Sequence, residues 1–331
     1  MKFIIVSVLT VALFLLNLFV GSVDIPAADV FAILMGSDGY GAAGFIVIGS
    51  RLPMAVTALL AGAGLAASGL MLQTTFRNPL AGPSVLGINS GASLGVALVM
   101  LFLGGAISAG TVTIGGYAAV MVGAFAGSLL IMGLLLFLST MLRNTLMLLI
   151  TGIMIGYLTS SVIMLLNFVS TAEGVQSYVM WGMSSFNGVS MHQLPLFSVI
   201  TLVGIALALM LVKPLNLLML GDGYAQNLGV NLKRVRNLLL LATGILTAVI
   251  TAFCGPVAFI GLSVPHIARL VFRTDNHRIL MPATLLVGAV VALGCNMLCV
   301  LPCNSVLPLN AVTPLVGAPV VIWVLFKHRG R

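Results

Sequence analysis

Long apolar runs alternate with short polar breaks along the whole chain, and the run lengths carry the first message. Runs near 3–21, 52–72, 86–106, 113–140, 145–168, 193–212, 237–254, 280–301 and 309–326 each have about the length needed to cross a bilayer as a helix. Roughly twenty residues are needed to span ~30 Å of hydrocarbon. A shorter run, 257–272, contains Pro265 and reads as a weak span or half-helix. Counting it predicts an all-α polytopic membrane protein with about ten transmembrane helices, residues 1–331 forming one transmembrane domain. The first run is longer than the core of a usual signal peptide and no small-residue cleavage site follows it, so it is expected to stay as the first span.

Charge then orients the spans. Lys2, Arg77, Arg143, Lys213, Lys233, Arg234, Arg236, Arg269, Arg273, Arg278, Lys327, Arg329 and Arg331 fall on one side. Arg51 falls opposite, with Asp24, Asp29, Asp38 and Glu173. Excess Lys and Arg mark the cytoplasmic side, which places both termini in the cytoplasm. Composition agrees: charged residues make up only 6% of the chain and mean hydropathy is +1.23, where a soluble domain carries roughly 25% charged residues. The net charge of +8 is spread over many short loops, so it anchors the chain in the lipid bilayer and does not point to nucleic acid.

Small residues are frequent inside the spans. Gly64 and Ser68, four apart in "AGAGLAASG", form a pattern that lets helix backbones approach. Three of the four cysteines, Cys295, Cys299 and Cys303, share one helical face. With no His or carboxylate nearby they are expected to pack as small hydrophobes, and no metal or other cofactor is expected.

The chemistry the chain lacks narrows its function. It has no Gly-Lys pair, hence no phosphate loop to hydrolyse nucleotide by itself. Every Asp and Glu falls in a loop or at a span end, which argues against an ion-coupled carrier without removing it as the alternative. His266 approaches the bilayer without a G-x-S-x-G or H-E-x-x-H motif, so an intramembrane enzyme is disfavoured. What remains is a polar cytoplasmic loop, 213–236, "KPLNLLMLGDGYAQNLGVNLKRVR". Pro214 can open a short helix, and Gly221 and Gly223 divide two helical pieces. Ala225, Leu228 and Val230 give the second piece an apolar face. Such a loop is either a solvated connector or a helix that docks in a partner's groove.

Three stretches resemble one family. "RLPMAVTALLAGAGLAASGLMLQTTFRNPLAGPSVLGINSGASLG", "LGDGYAQNLGV" followed by "KRVR", and "GPVAFIGLSVPHIARLVFRTDNHRILMP" are similar, in order, to segments of the iron–siderophore, haem and vitamin B12 permeases (FecCD-like, type II ABC importers). The resemblance implies an inner-membrane subunit of a bacterium, not itself an enzyme. Its implied partners are a second permease copy, two ATP-binding cassette ATPase subunits and an extracytoplasmic substrate-binding protein. It assigns ATPase coupling to Leu220, Gly221, Asp222, Gly223, Tyr224, Ala225, Leu228 and Gly229. It assigns the cytoplasmic turn to Arg77, Asn78, Pro79 and Leu80, and entry to the translocation pathway to Gly87, Asn89, Ser90 and Gly91. Phe259, Gly261, Leu262, Pro265, His266 and Arg269 match the eighth-span signature, and Arg51 matches the position that docks the binding protein. The chain departs from the family at Gly82, where Asp is frequent, and at Asn296, in a region with no charge from 279 to 326.

Overall fold

The structure is a computed structural model that describes residues 1–36, 41–84, 86–109, 112–142, 145–300 and 306–328. Asp38, Arg143, Cys303, Arg329 and Arg331 lie outside the described residues. In chain order the helices are α1 (Lys2–Phe19), α2 (Ala27–Leu34), α3 (Gly41–Ile46), α4 (Leu52–Thr75), α5 (Ile88–Ala97), α6 (Gly116–Met141), α7 (Thr145–Val169) and α8 (Ala172–Gly182). They continue as α9 (Leu194–Met210), α10 (Val212–Met219), α11 (Asp222–Asn227), α12 (Leu232–Cys254), α13 (Ile260–Phe272), α14 (His277–Val300) and α15 (Leu309–His328).

The expected spans are found with shifted ends. Among the described residues, six helices are long and apolar enough to cross a membrane, and a seventh arises if α9 and α10, bent by 45°, count as one. Three shorter apolar helices, Ile88–Phe102, Ile260–Phe272 and Leu309–Trp323, stand where the third, eighth and tenth spans were expected. The second span is longer than its apolar run: helix continues from Gly41 to Thr75 through a π-turn at Val47–Arg51. The seventh span starts at Leu232, so it takes Lys233, Arg234 and Arg236 out of the predicted loop and into a helix. Three features depart from the all-helical spans read in the sequence. They are the short helices α2 and α3, the 11-residue helix α8, and a hairpin of β1 (Ala106–Ala109) and β2 (Val112–Gly115) joining α5 to α6.

Helix α4 is the hub, buried along nearly its whole length against α9, α12, α13 and α14. Its near-uniform burial explains its composition, because a helix surrounded by others needs small residues at each crossing. The close crossings are not at Gly64 and Ser68, as the sequence pattern suggested. Gly64 meets side chains of Ile250 and Leu246, whereas a Cβ on Gly62 would lie 2.3 Å from the Gly288 carbonyl oxygen. A Cβ on Gly69 would lie 1.6 Å from the Gly261 carbonyl oxygen. That second carbonyl is four residues before Pro265, which has no N–H to bond it within the helix. A proline in α13 and a glycine in α4 thus solve one steric problem together. Helices α5 and α6 cross in the same way through Gly91, Gly95, Gly123 and Gly127.

Cys295 and Cys299 are buried apolar packing groups on α14. Asn296 beside them donates to Asn17 Oδ1 at 2.7 Å, and Asn17 donates to the Leu13 and Leu293 carbonyls. This buried amide pair joins α1 to α14 within the apolar layer.

Candidate functional site

The ends of the helices sort into two polar clusters, one per face. At the cytoplasmic face the end of α4 meets the end of α13, the start of α14 and α10. Arg269 Nη1 donates to Gln73 Oε1 at 2.8 Å, and Gln73 Nε2 donates to the Leu262 carbonyl at 3.0 Å. Arg269 also approaches Asp275 at 3.4 Å. His266 Nε2 lies 2.8 Å from the Pro79 carbonyl oxygen, which can only accept, so this nitrogen carries the proton. The signature residues of the eighth span therefore hold the cytoplasmic turn. Phe259 adopts φ 66°, the left-handed turn from which α13 starts.

The turn itself is built by Asn78, whose Oδ1 accepts from the Leu80 N–H at 2.9 Å. Arg77, at φ 45°, extends outward and pairs with Asp222 of α11 at 2.5 Å, both side chains about half exposed. Arg77 also donates to the Leu218 carbonyl. Beyond the turn, Ala81, Leu86 and Ile88 are buried, so the irregular stretch faces protein. Gly87 enters α5 at φ 78°, Asn89 accepts from Thr251 Oγ1 at 3.1 Å, and Gly91 packs against α6. Asn89 and Gly91 are thus packed inside this chain. Gly87 and the half-buried Ser90 both face α7, Gly87 against Gly152 and Gly156 and Ser90 against Gly156.

The loop 213–236 resolves into α10 and α11 with Gly221 at φ 111° between them, and Gly223 lies inside α11. Ala225 is fully buried, and its carbonyl accepts from the Val230 N–H around Gly229 at φ 84°. Of the face read from the sequence, Ala225 and Val230 turn inward. Leu228 turns outward and joins Leu220 and Tyr224, all three at least 60% exposed, in an apolar patch on the cytoplasmic side.

A second link from this loop was not legible as a site. Asn216 of α10 accepts from the His277 backbone N–H at 2.8 Å, which fixes the orientation of its amide. His277 Nδ1 lies 3.0 Å from the same Oδ1 and must be the donor, and Nε2 lies 2.8 Å from the Thr74 hydroxyl, which also meets the Leu70 carbonyl. One buried imidazole thereby connects α10, α14 and α4. His277 stood in the sequence near a span end and within the third stretch that resembles the family, but nothing local marks Asn216 or Thr74 as its partners.

On the outer face Arg51 differs from the expectation of an exposed docking cation. Its side chain is 3% exposed and donates to the carbonyls of Leu18, Phe19 and Val23. The first two are unpaired carbonyls of the last turn of α1, so the guanidinium caps that helix. Nearby, Asn310 donates to the Gly182 and Pro256 carbonyls, each at 2.9 Å, and accepts from the Ala258 N–H. No group of three or more His, Cys, Asp or Glu able to hold a metal ion occurs among the described residues.

Comparison with known proteins places this architecture. The model of the FecCD transport family matches residues 9–327. The chain is 36% identical over 282 residues to the vitamin B12 import system permease protein BtuC of Klebsiella pneumoniae subsp. pneumoniae, covering 85% of this chain and 82% of that protein. It is 37% identical over 278 residues to BtuC of Salmonella paratyphi A, covering 84% and 82%. A solved structure assigned to the metal-chelate type of ABC transporter, in an inward-facing conformation, superposes with a TM-score of 0.83 at 29% identity, covering 98% of both chains. The family match spans nearly the whole chain and includes both polar faces, and the chain belongs to the FecCD transport family.

Proposed function

We propose that this protein is the inner-membrane permease subunit of an ABC importer for a large metal chelate, with a corrinoid as the first ligand to test. Two copies would form the pathway, with two ATPase subunits beneath them and a binding protein above. The observation that carries the reading is the cytoplasmic loop. It presents Leu220, Tyr224 and Leu228 outward while Arg77–Asp222 and Asn216–His277–Thr74 tie it to α4 and α14. A partner that moves this loop would therefore move two long spans. In this reading Asp222, Gly221, Gly223, Ala225 and Gly229 shape the docking helix. Arg77, Asn78, Pro79 and Leu80 form the lever beside it, and Gly87 and Ser90 are the pathway-entry residues set against a neighbouring helix, α7. Arg51 supports docking of the binding protein indirectly, by holding the end of α1.

The ligand class is tested by reconstituting the chain with its ATPase and binding protein in proteoliposomes and measuring uptake of labelled cobalamin. Unlabelled ferric siderophore and haem serve as competitors. Saturable cobalamin uptake resistant to both supports a corrinoid importer. Competition by a ferric chelate with no cobalamin uptake moves the assignment to iron.

A further inference from the structure

We propose that Arg234 and the two grooves beside it form a binding site for an anionic phospholipid of the inner leaflet. Two apolar depressions flank the first turns of α12. One, about 500 Å³, lies toward α9 between Leu207, Met210, Leu238 and Leu241. The other, about 610 Å³, lies toward α6 between Leu136, Phe137, Leu238 and Leu241. Among the described residues Arg234 is the one charged residue lining either groove, and it lines both. Lys233 beside it is also exposed.

Position decides the occupant. Helix α12 has 23 residues, about 34 Å at 1.5 Å per residue, slightly more than the ~30 Å of hydrocarbon. Arg234, two residues into it, therefore stands at the headgroup boundary on the positively charged side. Leu241 lies a further seven residues in, roughly 10 Å deeper along the axis. The groove walls come from the cytoplasmic ends of α6, α9 and α12, with Pro214, Val230 and Asn231 closing the first groove toward the loop, and include Phe137 and Met210, 61% and 75% exposed. A soluble partner reaches Arg234 but not walls at that depth, whereas a diacyl lipid fits both. Its phosphate would meet the guanidinium, and one chain would enter each groove. Basic pockets between spans on the cytoplasmic side recognise acidic headgroups in this manner, and one cation near the surface contributes on the order of a fivefold preference.

Native mass spectrometry of the full-length permease, released from detergent with phosphatidylglycerol or phosphatidylcholine of identical chains, tests this. Wild type should retain phosphatidylglycerol preferentially. Arg234→Gln should weaken phosphatidylglycerol about fivefold and leave phosphatidylcholine unchanged, while Arg234→Lys keeps most of the preference. Leu238→Trp, which fills the wall shared by both grooves, should weaken both lipids. Equal retention of the two lipids by wild type would overturn the proposal, as would an undiminished preference in Arg234→Gln. So would loss of the permease dimer mass in Leu238→Trp with lipid retention intact, because that assigns the face to a second copy.

Discussion

At the scale of single residues, polar side chains inside the apolar layer serve as connectors between helices. Asn296 donates to Asn17 Oδ1, so replacing Asn17 leaves the Asn296 N–H, and replacing Asn296 leaves the Asn17 Oδ1, buried without this partner. Asn17→Leu should lower stability by about 1 kcal/mol, while the double change Asn17→Leu, Asn296→Leu should recover most of that loss. Thermal unfolding of the purified variants reads this directly; additive losses would mean the pair is not coupled. Arg51 follows the same logic with a charge. Arg51→Met strands the carbonyls of Leu18, Phe19 and Val23 and should cost roughly 1.5–3 kcal/mol. Arg51→Lys should not restore it, since a point charge cannot span three acceptors as the guanidinium fork does. The sequence showed Arg51 as the sole outer cation but could not show its acceptors, which lie 28 to 33 residues away along the chain.

At the scale of elements, long spans were legible because an apolar run of twenty residues has few alternatives. Helix α13 was harder to place, its run being short and interrupted by Pro265, and α5 came out shorter than the run 86–106 because a π-turn and a hairpin follow it. The hairpin and α8 were missed because their polar, mixed sequences carry no period that separates them from loops. Close crossings were hidden for a different reason. With 37 glycines in the chain, the ones that matter are chosen by their partners across the bundle, as Gly69 is by the carbonyl that Pro265 frees. The cytoplasmic loop 213–236 was largely readable, since its glycines break a helix visibly, but which apolar residues faced outward was not. Ala225 has no room for a larger side chain. Ala225→Trp should displace α11 and reduce transport per ATP hydrolysed by at least tenfold while the spans stay folded. Simultaneous uptake and phosphate-release assays check it. Gly229→Trp should act instead through backbone strain, because Gly229 is at φ 84° with open space around its α-carbon.

At the scale of the whole molecule, helix ends gather as ten alternating spans require. Thr74, Asn216, Arg269 and His277 meet on one face, and Phe19, Arg51, Ser184 and Asn310 lie on the other. The count was accessible from the apolar run lengths and the orientation from charge, because basic residues concentrate on the cytoplasmic side. What charge could not reveal is that separate contacts, Arg77–Asp222 and Asn216–His277–Thr74, join the loop to the end of α4 and to α14. Under the proposed function those contacts would carry motion of the loop into two spans, and the described acids lie in loops or at helix ends. The most direct measurement compares ligand uptake into one preparation of proteoliposomes, containing the permease, its ATPase and its binding protein, under two driving forces. Internal or external ATP at the ATPase face, with ion gradients collapsed, should support uptake, and Tyr224→Glu with Leu228→Glu should abolish it. Uptake driven by a proton or sodium gradient without ATP, and unaffected by those two changes, would contradict an ATP-powered permease.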